Sequence, residues 1–168
     1  MAKVIERSPD DLYETDHYRW LEEQTVLLRE GRLEDLDAVN LIEELEDLAG
    51  SERAAVESHA ATVIEHLLKL EHSPAARPRR GWRLTVARDR GRLARRLTPR
   101  LRQHLERSLD GPFQDGSRAA AIGLEIDRVP AEALPRACPY TLEQILDRDW
   151  YPKNRHGLGD PGARDDDG

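Results

Sequence analysis

The chain has 168 residues, 35% of them charged and 38% hydrophobic, with a formal net charge of -7 and one residue each of Cys, Met and Phe. That length fits one domain with its own core, and with so few large aromatics the core must come from Leu, Ala, Ile and Val, which favours helices over sheets. A lone cysteine excludes an internal disulfide framework and a one-chain zinc ribbon or iron-sulfur site, and no apolar run reads as a signal or membrane span, so a cytoplasmic protein is expected.

Charge is unevenly spread along the chain. Residues 1–74 hold 7 basic against 19 acidic side chains, residues 75–107 hold 12 arginines against 2 acids, and residues 108–168 hold 7 basic against 12 acidic. A basic segment inside an acidic chain either folds back on it or meets an anionic partner.

Residues 1–10 read as a flexible N-terminus. The first helix begins near "ETDHYRW", where Thr15 or Asp16 can accept from a first-turn N–H, and ends before Gly31. The strongest periodic signal follows, a single long helix over 37–72. Its inward stripe is Ile42, Leu45, Ala49, Glu52, Val56, Ala60, Val63, Leu67 and Leu70, in steps of three and four. Gly50 inside it points to a close backbone approach or a slight kink.

"HSPAARPRRG" is a linker by its prolines, glycine and small residues. A third helix over "WRLTVARDRGRLARRL" puts Trp82, Val86, Leu93 and Leu97 on one side. Thr98 and Pro99 read as the cap and first residue of a fourth helix through Leu109. Asp110, Gly111 and Pro112 restart the chain toward "GSRAAAIGLEI". Three prolines, at 130, 135 and 139, impose an irregular connection. Thr141 and Gln144 then form a capping box, with Tyr140 and Ile145 as its hydrophobic staple, for a short last helix. From Lys153 on, the sequence reads as a disordered acidic tail over 153–168. The expected fold is an all-α, single-domain bundle of five to six helices over 11–152, built around one long helix.

"LYETDHYRW", "NLIEELEDLAGSER", "HLLKLEH", "WRLTVARDRGRL" and "CPYTLEQILDRDWYP", in that order over about residues 11–152, resemble the bacterial family catalogued as domain of unknown function twenty-nine. The resemblance implies an all-helical fold in a prokaryotic cytoplasm and brings no established activity. It falls on Tyr13, Asp16, Tyr18, Trp20, Asn40, Glu43, Glu44, His66, Lys69, Trp82 and Cys138. Two departures are Leu70, where the family more often has an aromatic, and His17, where a phenylalanine is frequent.

Glu52, His59 and His66 recur every seven residues on the long helix and are of metal-ligating type. Successive members lie about 10.5 Å apart along the axis, too far for one ion, and the i,i+3 or i,i+4 partners of helical metal pairs are absent. No metal and no cofactor is therefore expected. Only Glu14 and His17 have that short spacing, at a polar helix start. His66 reads as an edge-of-core residue, about 70° from the stripe's centre on a 100°-per-residue wheel, and Lys69 as keeping its ammonium in water. Glu52 inside the stripe demands a cation, and Arg90, between Val86 and Leu93, is its expected partner.

The arginine run resembles a nucleic-acid footprint in charge, with Arg79, Arg80, Arg83, Arg92, Arg95 and Arg96 as candidates, although no nucleic-acid-binding motif accompanies it. Cys138, in "ACPYT" ahead of a helix start, is the candidate thiol nucleophile. No P-loop, dinucleotide fingerprint or nucleophile elbow is present. The favoured reading is a non-enzymatic module that meets a protein partner, or a second copy of itself, through a charged or amphipathic helix face. Electrostatic nucleic-acid binding and a metal-assisted enzyme around Glu52 and His66 are the alternatives.

Overall fold

The computed structural model describes residues 12–159. Among these the fold is all helical, without a strand: α1 (Leu12–Thr15), α2 (His17–Glu30), α3 (Ala38–His72), α4 (Arg79–Arg96), α5 (Pro99–Ser108), α6 (Asp110–Leu124) and α7 (Leu142–Leu146), with 3₁₀ turns at Leu33–Asp35, Glu125–Asp127 and Ala131–Ala133. The one-turn α1 accounts for the helix beyond the expected five or six. No helix among the described residues is long and apolar enough to cross a membrane. The chain divides into two compact units at Gly50/Ser51, so α3 contributes its first part to one and the rest to the other.

In the first unit, α2 carries caps that the sequence predicts. Asp16 accepts from the Arg19 N–H at 3.1 Å, and Gly31 ends α2 in the left-handed region, with φ 72°, that a side chain disfavours. The run from α1 through α2 is antiparallel to the start of α3, because Tyr13 of α1 donates to Glu44 at 2.8 Å while Trp20 Nε1 of α2 donates to Asp37 at 3.1 Å. Asp37 also caps α3, accepting from the backbone and side-chain N–H groups of Asn40, and its own N–H is taken by Gln24 at 2.9 Å. The Tyr13 and Trp20 rings meet edge to face at 4.9 Å. The Glu44 carboxylate, as hydrogen-bond acceptor, pushes the Tyr13 hydroxyl up to about 12.

The second unit holds the hydrophobic core. Val56, Ala60, Val63, Leu67 and Leu70, the later half of the predicted stripe, are fully buried against Val86 and Leu93 of α4, Leu105 of α5, Phe113 and Leu124 of α6, and Ile145 of α7. At Gly116 a Cβ would stand 2.6 Å from the Ala61 carbonyl oxygen, so glycine sets how closely α6 approaches α3. Thr98 caps α5 with Pro99 at its first position, and Thr141 and Gln144 complete the capping box of α7.

The earlier half of the stripe differs from expectation. Ile42 is 56% and Leu45 64% exposed, and Ala49 is exposed as well. Periodicity marks a helix side as apolar; it does not say that anything covers it.

The segment expected to begin a disordered tail also differs where it is described. Asn154 Nδ2 donates to the carbonyls of Leu70 at 2.8 Å and Ser73 at 2.9 Å, the Arg155 N–H donates to the Glu71 carbonyl at 2.9 Å, and His156 Nε2 lies 2.9 Å from the His72 carbonyl oxygen. These are the carbonyls that a helix C-terminus leaves without intrahelical partners, so 154–156 serve as an external cap for α3. Residues 1–11 and 160–168, which include the expected flexible N-terminus and most of the expected tail, lie outside the described residues.

Candidate functional site

On α4 the apolar spacing Trp82, Val86, Leu93 continues through position 89, which is aspartate. Asp89 is accordingly buried, its side chain 3% exposed. A carboxylate taken out of water needs cations and donors around it. His59 of α3 supplies one, with Nδ1 at 2.9 Å from Asp89 Oδ1 and 21% of its side chain exposed. Arg92 Nη1 donates to the same oxygen at 3.2 Å, and Arg88 Nε stands 3.5 Å from Oδ2, which makes no hydrogen bond of its own.

His59 turns Nδ1 to Asp89 and also helps to line a cleft. This cleft, of about 410 Å³, is walled otherwise by Arg92, Arg95 and Arg96. Arg96 Nη1 donates to both carboxylate oxygens of Glu52, at 3.1 and 3.2 Å. Arg95 is exposed and makes no ion pair with a described residue. A second groove of about 470 Å³, lined by Glu57, Thr62, Glu65, Asp115 and Gly116 among others, has carboxylates and no cation on its walls.

The expected Glu52–Arg90 pair does not form. Glu52 is a surface residue, its side chain 45% exposed, because burial of the stripe starts only at Val56; its partner is Arg96. Arg90 lies in the core, where its Nε donates to the Ile145 carbonyl at 2.9 Å and its two Nη groups to the carbonyls of Trp150 at 2.9 Å and Gln144 at 2.8 Å. It thus closes the C-terminal end of α7, and burial, which disfavours its charge, holds its pKa below the usual arginine value. Arg79 plays the same part for α3, donating to the Leu70 carbonyl at 2.7 Å, and is buried, so it offers nothing to a nucleic acid. Arg83 stacks on Tyr151, 3.9 Å from the ring centroid, while Arg80 is exposed. Of the six arginines singled out as anion binders, the structure brings together Arg92, Arg95 and Arg96.

His66 packs at the edge of the core and its Nδ1 lies 3.0 Å from the Thr62 carbonyl oxygen, one turn back. Lys69 is not solvated as expected: its side chain is 12% exposed and pairs with Glu65, in space that a Cβ on Gly123 would occupy. Glu52 and His66 are fourteen positions apart, about 21 Å along α3, and no group of three or more potential metal ligands occurs among the described residues. Cys138 donates to the Tyr140 carbonyl and burial pushes its pKa up, opposite to what an activated thiol requires. Sequence reasoning missed Asp89. The available signal was an acid on the apolar side of α4, in a segment with only one other acid, Glu106.

A different kind of surface lies in the first unit. Residues 12–50 carry twelve carboxylates against three arginines, a formal charge of -9 with histidines neutral. Trp20 is the one buried apolar side chain among them, while Leu21, Leu28, Ile42, Leu45 and Leu48 are exposed. At 100° per residue these lie on the same rotational side of the α2–α3 seam, which for antiparallel helices places them on one face.

A family model described as domain of unknown function DUF29 matches residues 12–151, and the chain belongs to that family. No curated protein and no solved structure matches the chain.

Proposed function

We propose that the protein is a non-enzymatic interaction module of the bacterial cytoplasm whose residues 12–50 bind a basic amphipathic helix of a partner protein. The exposed apolar face of Leu21, Leu28, Ile42, Leu45 and Leu48 in a strongly acidic unit carries this reading. Apolar side chains gathered on one face and rimmed by charge are the usual mark of a docking surface, and helix-in-groove binding reads such a face through anchors one turn apart. The net charge of -9 selects the partner's chemistry: a second copy would bring like charge against like, whereas a cationic helix gains both apolar burial and Coulomb attraction.

Two synthetic helices with the same leucine face, one rimmed by lysine and one by glutamate, test it by titration calorimetry. The lysine helix binds with a Kd on the order of micromolar and the glutamate helix does not. Ile42→Ser with Leu45→Ser removes binding while leaving the unfolding midpoint in place, since both residues are exposed. Equal affinity for the two helices, or a dimer of the free protein that dissociates in the double variant, overturns the proposal.

A further inference from the structure

We propose that the cleft of His59, Arg92, Arg95 and Arg96 is a binding site for the terminal phosphate of a small soluble ligand, a phosphomonoester or a diphosphate, with Asp89 positioning the imidazole. All of these residues lie in the second unit, on α3 and α4, so the inference is independent of the docking face on residues 12–50.

Charge favours an anion there. Arg88, Arg92, Arg95 and Arg96 face two carboxylates, Asp89 and Glu52, and the ion pairs of Arg92 and Arg96 each use a single terminal nitrogen. A guanidinium has five N–H donors in a planar fork, so both keep donors for a phosphate oxygen, and Arg95 keeps its whole fork. Asp89 is a buried carboxylate with one oxygen unbonded, an arrangement that fixes His59 through Nδ1 and leaves the other nitrogen for a ligand. A histidine oriented in this way by a carboxylate presents a defined edge, whereas a histidine placed only for packing does not need one.

The geometry also selects the kind of phosphate. A polyanion needs a track of cations, yet of the six candidate arginines Arg79 is buried on a helix end, Arg83 lies over Tyr151 and the exposed Arg80 does not line the cleft, so the three that do form a compact group around one imidazole. A terminal phosphate carries about 1.5 to 2 negative charges at neutral pH and still has a protonated fraction, so it can accept from the arginines and also exchange a hydrogen bond with imidazole in either protonation state. A diester has one charge and no P–OH. The cleft therefore suits a chain end better than a backbone.

The test is a titration of the full chain with inorganic pyrophosphate, followed through the ¹⁵N signals of the His59 imidazole. Saturable shifts with a Kd of about a millimolar or tighter are expected, with Arg95→Gln weakening binding roughly tenfold and Arg118→Gln, an exposed arginine outside the cleft, leaving it unchanged. Asp89→Asn separates positioning from contact: it changes the balance between the Nδ1 and Nε2 signals before any ligand is added. Shifts that grow linearly without saturating, or that are the same in Arg95→Gln, overturn the site. Tighter binding of a single-stranded oligonucleotide with unphosphorylated ends, lost in Arg95→Gln, overturns the terminal-phosphate assignment in favour of a nucleic-acid backbone.

Discussion

Replacing Arg90 with methionine perturbs the fold at one point while nearly preserving the buried aliphatic stem. Arg90 is 1% exposed, and its guanidinium donates to three carbonyls at 2.8–2.9 Å, two of them, on Gln144 and Ile145, in the last turn of α7. A hydrogen bond to a charged group contributes about 1.5–3 kcal/mol, but removing the arginine also removes the cost of keeping its charge out of water. The balance places Arg90→Met at about 3–5 kcal/mol of lost stability, comparable to breaking a buried charged pair. Arg90→Lys keeps the charge without the planar fork and falls between methionine and wild type. Arg80→Met, at an exposed position, stays within about 0.5 kcal/mol. Urea unfolding gives the free energies, and hydrogen exchange at Ile145 and Leu146 reports whether α7 loosens first. A loss below about 1 kcal/mol for Arg90→Met, with α7 still protected, refutes the assignment of Arg90 as the closure of that helix.

Other outcomes follow from the same geometry. Gly116→Ala places a Cβ 2.6 Å from the Ala61 carbonyl, so the unfolding midpoint drops, by the about 1–3 kcal/mol typical of overpacking; an unchanged midpoint contradicts the close α3–α6 approach. Asn154→Ala strips donors from the end of α3 and costs about 1–2 kcal/mol by thermal unfolding, whereas a truly disordered 153–159 predicts no change. Burial, aided by Arg155, holds His72 below the usual histidine pKa. The unfolded chain therefore takes up this proton more readily, and stability falls as pH drops below about 6.5. In His72→Gln the decline between pH 7.5 and 5.5 becomes shallower, and an identical pH profile contradicts the assignment.

Much of the fold was legible because it rests on local chemistry. Asp16, Gly31, Thr98, Pro99 and the Thr141–Gln144 box act through neighbours three or four positions away, and all end or begin helices as their residue types require. What sequence could not show was tertiary. Arg79, Arg90 and Asn154 satisfy helix-end carbonyls between 9 and 84 positions distant, and nothing in a one-dimensional pattern tells a buried capping arginine from a solvated one. The same applies to Glu52, Ile42 and Leu45, which periodicity places on the inward side of α3 and the structure leaves at the surface. The cleft was half visible: His59 and its three arginines stood out by residue type, while Asp89, which joins them, was hidden by the arginines around it.

The most direct test of the docking reading is the triple charge reversal Glu22→Lys, Glu43→Lys and Glu46→Lys, all at exposed positions of the acidic unit, titrated with the lysine-rimmed helix at low and at physiological salt. The account predicts roughly tenfold weaker binding at low salt and a flatter salt dependence, since the reversal moves the unit's formal charge from -9 to -3 without touching the apolar face. Unaltered affinity and unaltered salt dependence would contradict it.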